Sequence, residues 1–327
     1  MLSWGMNVIC RHCGSDNIVR KGARKLLCST NQRYLCTNCG KQFSFREGRH
    51  DAVLMLDAVR CYNAGKTLAQ VVKDIRKERK LSVTPMTISR WVRRFDAGFL
   101  RIRTALLKRC RSNLITSKQF VHSGLIYQFS VHNGKLDALC AYPELSGYLA
   151  GLDNRIDRYF SAGKRCSQLN TVKKIEVREK RDGLCKAVGH VLPACSELKE
   201  RHSALQSYLL HNDDVTIATE VPVYLWDKQL GAISGHIDIL QIRDGKVMIV
   251  DYKPGAAFLP KEKVVSQLFW YARALSFRAK IDLRNMSCLY FDEQVCFEFE
   301  PAKVKLDYGG GQEVMPRNVK PDAPGKL

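Results

Sequence analysis

Three quarters of the way along the chain, Val247-Met248-Ile249-Val250 runs apolar without a break and then ends in Asp251-Tyr252-Lys253. A short run of this kind reads as a buried strand, and alternation along it puts Asp251 and Lys253 on one face. Ahead of it, Thr219-Glu220-Val221-Pro222-Val223 and Gly235-His236-Ile237-Asp238-Ile239-Leu240 also read as strands, each with one acid. Asp244-Gly245 lies between the last two and is a strong two-residue hairpin signal. With that turn, Arg243 pairs with Lys246. The same register sets Asp238 opposite Asp251, with Cβ atoms ~5 Å apart, and His236 opposite Lys253. Further on, Val264, Leu268 and Leu275 mark a helix stripe, and Gln267 and Tyr271, four apart, share one side of that helix.

Helical periodicity dominates the front. Val53, Leu54, Leu56, Ala58 and Val59 predict a helix from about Asp51 to Asn63, stopping near Gly65. Thr67 with Gln70 is a capping-box signal opening a second helix through Leu68, Val71, Val72 and Ile75. Pro85 sits in the first turn of a third, whose apolar face is Ile88, Trp91, Val92 and Phe95. Ser89, Arg90, Arg93 and Arg94 then project elsewhere. A basic last helix after two shorter ones matches a helix-turn-helix that reads DNA, or equally a three-helix packing unit with solvated arginines.

Between these regions the pattern is weaker. Residues 100–120 read as a basic connector, and Asn133-Gly134 as a hairpin turn between strand-like flanks. Helices are expected from Pro143 to about Phe160 and from about Pro193 to Leu210, with an aperiodic polar segment over 161–187. After Pro301 the Gly-, Pro- and Lys-rich tail is expected to be disordered.

Charge sharpens the division. Of the formal +21, most sits up front: through Arg111 there are 24 Lys and Arg against 7 Asp and Glu. A basic front on a nearly balanced remainder points to a nucleic-acid-binding module joined to something else. The chain has 13 cysteines, no signal-peptide pattern at its start and no apolar run near the ~18 residues of a membrane span. A cytoplasmic, reducing setting without membrane attachment is therefore expected, where clustered cysteines serve as metal ligands more often than as disulfides. Cys10-x-x-Cys13-Gly14 and Cys36-x-x-Cys39-Gly40 are two copies of one knuckle, 22 residues apart. Four thiolates on two such turns suit a closed structural Zn²⁺ site, and residues 7–46 read as a zinc ribbon. Cys28 and His12 are the competing ligands. Lys41–Phe45 alternates as a short strand of that ribbon.

The acids carry the chemistry. Two carboxylates facing across a ladder repel, and burial worsens the penalty. A bound Mg²⁺ or Mn²⁺ removes it, because hard divalent cations favour carboxylate oxygens. The plainer alternative is a structural cluster in which Lys253 neutralises two acids.

The order Glu220, Gly235-x-x-Asp238, Asp251-x-Lys253 and Gln267-x-x-x-Tyr271 resembles the RecB-type branch of the PD-(D/E)XK nucleases over about residues 190–295. That resemblance implies a restriction-endonuclease-like mixed sheet flanked by helices. It makes Asp238 and Asp251 ligands of catalytic Mg²⁺ or Mn²⁺, with Glu220 at or near the metal. Lys253 would orient or help deprotonate the attacking water and stabilise charge on the phosphate, and Gln267 and Tyr271 would flank the site. It also implies an upstream metal-binding histidine; His190 is preferred to His202 because it follows Gly189. Some relatives hold an iron–sulfur cluster, but only Cys288 and Cys296 lie downstream here, and none is expected. With the Cys-x-x-Cys-Gly pair, the approach Gln32-Arg33-Tyr34-Leu35-Cys36 and the Trp91-bearing helix, residues 7–98 resemble the zinc-ribbon and helix-turn-helix front end of some insertion-sequence transposases and their regulators, which implies site selection on DNA.

The resulting expectation is a zinc ribbon over 1–48, a helix-turn-helix segment and connector over 49–112, a nuclease domain over 113–300 and a tail over 301–327. The function expected is a DNA endonuclease targeted by its front module, with a homodimer or a mobile-element or defence protein as possible partners. The alternative is a DNA-binding regulator or mobile-element accessory protein with an inactive nuclease-like domain. An RNase-H-like transposase core fits poorly, since it draws its acids from widely separated segments.

Overall fold

The computed structural model describes residues 10, 12–25, 30–44, 50, 52–95, 114–152, 160–161, 163–195, 197 and 200–308. It divides into two compact units, Met1–Ala58 and Val59–Leu327. Among the described residues no helix is long and apolar enough to cross a membrane.

The first unit is built on a small antiparallel sheet of β1 (Ile18–Lys25), β2 (Thr30–Cys36) and β3 (Gln42–Ser44). Its core is slight: Cys10, Cys36 and Phe43 are buried, with Ile18 and Tyr34 packed against them. Tyr34 and Phe43 are cross-strand partners, and their rings stack at 5.8 Å. So few apolar groups leave most of the folding free energy to be found elsewhere, which a metal can supply. Cys28 and Phe45 lie outside the described residues.

Helix α1 (Ala52–Asn63) spans the division. In the second unit, α2 (Leu68–Arg79) has the expected capping box, with Thr67 and Gln70 each satisfying the other's backbone N–H. Helix α3 (Pro85–Phe95) buries Ile88, Trp91, Val92 and Phe95. The helices from Val59 onward fall in the same compact unit as the large sheet.

That sheet has nine strands. They are β4 (Ile115–His122), β5 (Leu125–His132), β6 (Lys164–Arg165), β8 (Arg178–Lys180), β9 (Thr216–Asp227), β10 (Gly231–Arg243), β11 (Lys246–Tyr252), β12 (Met286–Phe291) and β13 (Cys296–Phe299). The order is β4-β5-β9-β10-β11-β12-β13-β8, with β6 pairing β10. The sheet is mixed: β11 and β12 are parallel, as are β6 and β10, and the other pairs are antiparallel. The parallel β11–β12 pair requires a crossover, which α8 (Lys261–Ala279) supplies. Its inward side buries Val264, Val265, Leu268, Phe269 and Leu275 in the main core. Among the described residues the remaining helices are α4 (Asn133–Leu139), α5 (Pro143–Gly151), α6 (Gly183–Val191) and α7 (Arg201–Asn212).

Several expectations are corrected. The hairpin turn of this region is Ser123-Gly124, with φ of 51° and 78°, and not Asn133-Gly134. Asn133-Gly134 instead opens α4, because His132 Nδ1 accepts from Lys135 N and caps a helix start. The connector resolves into β4 from Ile115, while residues 100–113 lie outside the described residues. The helix at Pro143 stops at Gly151; residues 153–159 are not described. Residues 161–187 hold β6, β7 (Val172–Lys174), β8 and the start of α6. Strands of two or three residues are too short to show a period. Pro193 belongs to a 3-10 turn over Leu192–Ala194, and the helix proper begins at Arg201. Of the tail, residues 301–308 include β14 (Lys305–Leu306), which pairs with β7; residues 309–327 lie outside the described residues.

Candidate functional site

The front unit gathers Cys10, Cys13, Cys36 and Cys39 so that all four sulfurs lie within 4.8 Å of one another. Cys10 Sγ is 3.7 Å from Cys39 Sγ, and Cys13 Sγ is 3.6 Å from Cys36 Sγ. A tetrahedron of thiolates at a Zn–S distance of ~2.3 Å has edges of ~3.8 Å, so the spacing suits zinc. The two knuckles are built alike. Gly14 N donates to Cys10 O and Gly40 N to Cys36 O, with both glycines at positive φ, 73° and 69°. Four cysteines thus form a site that could hold a structural metal such as zinc. His12 lies beside it, its backbone N 3.4 Å from Cys10 Sγ.

In the second unit, Asp244-Gly245 forms the turn expected of it, with φ of 49° and 75°, and Arg243 pairs with Lys246. The ladder continues to Ile239↔Val250 and ends there. Asp238 and Asp251 are the next residues on each strand, so the hairpin delivers both acids to the point where β10 and β11 part. On the other side of β10, the pairs Ile237↔Val221 and Ile239↔Thr219 bracket Asp238 and set Glu220 across from it. Glu220 has a φ of 50°, rare outside glycine, which takes it out of the regular ladder.

Asp251 is fully buried, and neither of its oxygens has a hydrogen-bond partner among the described residues. Lys253 Nζ lies 2.8 Å from Asp251 Oδ2, an ion pair without hydrogen-bond alignment. Burial, and then the charge of Asp238, pushes the Asp251 carboxyl up to about 8. Burial would lower the Lys253 ammonium, but the two aspartates outweigh it and hold its pKa above the usual lysine value. The Glu220 carboxyl is raised by burial, against a 2.6 Å hydrogen bond from Gln206 Nε2 to Oε1.

The histidine brought to these acids is His202, not His190. On α7, His202 Nδ1 stands 3.6 Å from Asp238 Oδ2, and that contact raises its pKa. His190 on α6 lies against Tyr208 and Phe95 instead, with Nδ1 3.2 Å from Tyr208 Oη. A glycine neighbour carried no information about which helix faces the sheet. His236 is the second correction. Since the ladder has ended, it does not stand opposite Lys253; it pairs with Pro222 on β9 and stacks on Tyr127 at 3.9 Å. Gln206 was not anticipated, although its spacing of four from His202 puts both on one side of α7.

Gln267 and Tyr271 form the side-by-side pair expected on α8, with Gln267 Nε2 donating to Tyr271 Oη at 2.8 Å. A Cβ at Gly235 would lie 2.4 Å from the Tyr271 ring, so glycine there admits the tyrosine. The nearby Asp238 and Asp251 charges, after burial itself, help keep the Tyr271 phenol protonated. On α3, Arg90, Arg93 and Arg94 are exposed and Ser89 is half-buried, opposite the packed face.

The two metal candidates differ in readiness. Among the described residues, only the cysteines place three or more ligand atoms within 4.8 Å of one another. The acids are not gathered so tightly, yet their chemistry fits a hard cation: carboxylates, one of them fully buried, with Lys253 2.8 Å from one of its oxygens and no hydrogen bond to either among the described residues. No protein-family model, curated protein or solved structure gives a significant match to the chain.

Proposed function

We propose that the chain is a metal-dependent DNA nuclease of the PD-(D/E)XK type, hydrolysing phosphodiesters within strands. The observation that supports this best is the end of the β10–β11 ladder. There Asp238 and the buried Asp251 converge with Lys253 2.8 Å from Asp251. An acid held up to about 8 and a lysine wedged against it is a strained arrangement without a ligand, and a useful one with it.

Asp238 and Asp251 would hold Mg²⁺ or Mn²⁺, with Glu220 and His202 as the next donors. When bound, the cation supplies Lewis acidity toward the phosphate and an activated water. The protein's own share is positional. Lys253 offers an ammonium beside Asp251, where it can hold a water and stabilise charge growing on the phosphate oxygens. Gln206 fixes the Glu220 carboxylate, and Gln267 fixes the hydroxyl of Tyr271. The front unit and the exposed arginines of α3 would grip DNA, the zinc ribbon and Ser89, Arg90, Arg93 and Arg94 supplying contacts to phosphates and groove.

The test is cleavage of linear and circular, single- and double-stranded DNA with Mg²⁺, Mn²⁺ or no added metal, comparing wild type with Lys253→Ala. Metal-dependent cleavage that falls by ~100-fold or more in the variant is expected. Equal cleavage by both, or none by the wild type on any substrate, would overturn the proposal.

A further inference from the structure

The turn that follows Lys253 ends in the most exposed large apolar side chain among the described residues: Phe258 is 92% accessible. A single exposed apolar residue is ordinary, but this one stands on a braced turn. Lys253 N donates to Phe291 O at 2.8 Å, which holds the root of the turn to β12. Gly255 turns the chain at a φ of 70°, and Phe258 N donates back to Gly255 O at 2.9 Å, closing a 3-10 turn over Ala256–Phe258. Ala256 is itself buried, and its N–H donates to the buried Asp292 Oδ2 at 2.8 Å. The other oxygen of Asp292 accepts from Gln294 N and Val295 N, so one carboxylate ties the turn to the β12–β13 connection. The ring is thus exposed on a backbone fixed at both ends and in the middle.

Position and charge indicate what it meets. Phe258 is five residues from Lys253, within ~17 Å even for a fully extended chain. That span corresponds to about five base steps of a duplex strand. Lys261 and Lys263 follow on the exposed start of α8, either side of Glu262, and Lys253 precedes, so lysines stand on both sides of the ring in sequence. An aromatic ring among cations suits a polyanion with flat apolar faces.

We propose that Phe258 stacks on a base of the strand bound at the acids, fixing that strand near the scissile phosphate. This rests on the nucleic-acid reading of the site but not on cleavage. It is tested by binding: fluorescence anisotropy of a labelled 20-nucleotide single strand and of its duplex, using the full chain carrying Asp251→Asn to prevent turnover. Adding Phe258→Ala should weaken binding of the single strand by ~5- to 100-fold, and Phe258→Tyr should restore it. A single abasic nucleotide walked along the strand should reproduce that loss at one position, where Phe258→Ala then adds nothing. The side chain touches little, so the variant should keep its melting temperature. Undiminished binding by Phe258→Ala, a loss that no abasic position absorbs, or no binding by the parent would each overturn the stacking. If wild type fails to cleave while Phe258-dependent binding persists, the nuclease reading falls and the stacking stands.

Discussion

His202 Nδ1 lies 3.6 Å from Asp238 Oδ2, held there by α7, whose next inward residue on that side, Gln206, fixes Glu220. The histidine and the acids come from separate elements that share no local sequence signal, and only the packing of α7 on β9 unites them. His202→Ala should therefore weaken Mn²⁺ binding and cleavage by ~10- to 100-fold. His190→Ala should leave both unchanged. Titration of Mn²⁺ binding by calorimetry distinguishes the two, and an equal effect of the two variants would remove His202 from the site.

Asp251 should trade stability for function. Its carboxyl ionises near 3.8 when unfolded and is held up to about 8 when folded, so between those values the folded state binds the extra proton. Stability without metal therefore falls as pH rises through that window. Asparagine cannot titrate and avoids the cost. Asp251→Asn should melt about 3–6 °C higher than wild type at pH 8.5 without metal, corresponding to ~1–2 kcal/mol. Near pH 4 the difference should vanish, and Mn²⁺ should no longer raise the melting temperature of the variant. A variant less stable than wild type at pH 8.5 would contradict the assignment.

On the acid side the sign reverses. Burial lowers His132 and His236 to about 3 and His211 to about 4, so these imidazoles stay neutral in the folded state while the unfolded chain protonates them near 6.5. Their contribution is intact above about pH 6.5 and is lost as pH falls toward 4, at up to ~1.4 kcal/mol per pH unit for each. His236→Phe should flatten that limb. Nε2 of His236 is buried without a hydrogen-bond partner among the described residues and its ring already stacks on Tyr127, so phenylalanine should also add ~1 kcal/mol at neutral pH. Chemical denaturation from pH 4 to 7 measures both effects.

Gly235 is a steric requirement. Gly235→Ala puts a methyl into the Tyr271 ring and should cost ~1–3 kcal/mol. Tyr271→Ala removes the obstacle, so the double variant should be more stable than the sum of the two losses. Strict additivity in a denaturant cycle would show that the clash relaxes elsewhere.

The four-cysteine site predicts about one tightly held zinc per chain by metal analysis. Removing it with a strong chelator should unfold Met1–Ala58 while the melting of the larger unit persists. Protein free of zinc with a folded front unit would show that the small core of Phe43 and Tyr34 suffices alone.

Features with a local physical origin are legible in the sequence. The Asp244-Gly245 turn, the β10–β11 register, the capping box at Thr67 and the paired knuckles each follow from residues close in sequence. The Gln267–Tyr271 pair follows from helical spacing. Failures occurred where tertiary packing decided. Asn133-Gly134 has hairpin chemistry, yet His132 captured it for a helix cap. Nothing local distinguishes His190 from His202; the packing of α7 on β9 does. The register also extrapolated too far: strands that part at Asp238 and Asp251 no longer set His236 against Lys253.

Helix α7 touches more than the acids. Near its far end Tyr208 Oη donates to Phe95 O at 2.7 Å, the last residue of α3, and Asn212 accepts from Asn63 at 2.7 Å in a buried contact. The arginine-bearing α3 is thus fastened to the helix that presents His202. Such a linkage acts as a ruler. If α3 engages DNA, the cut should fall at one set offset from the bound sequence, and sequencing the cleavage ends would reveal a single spacing instead of a spread.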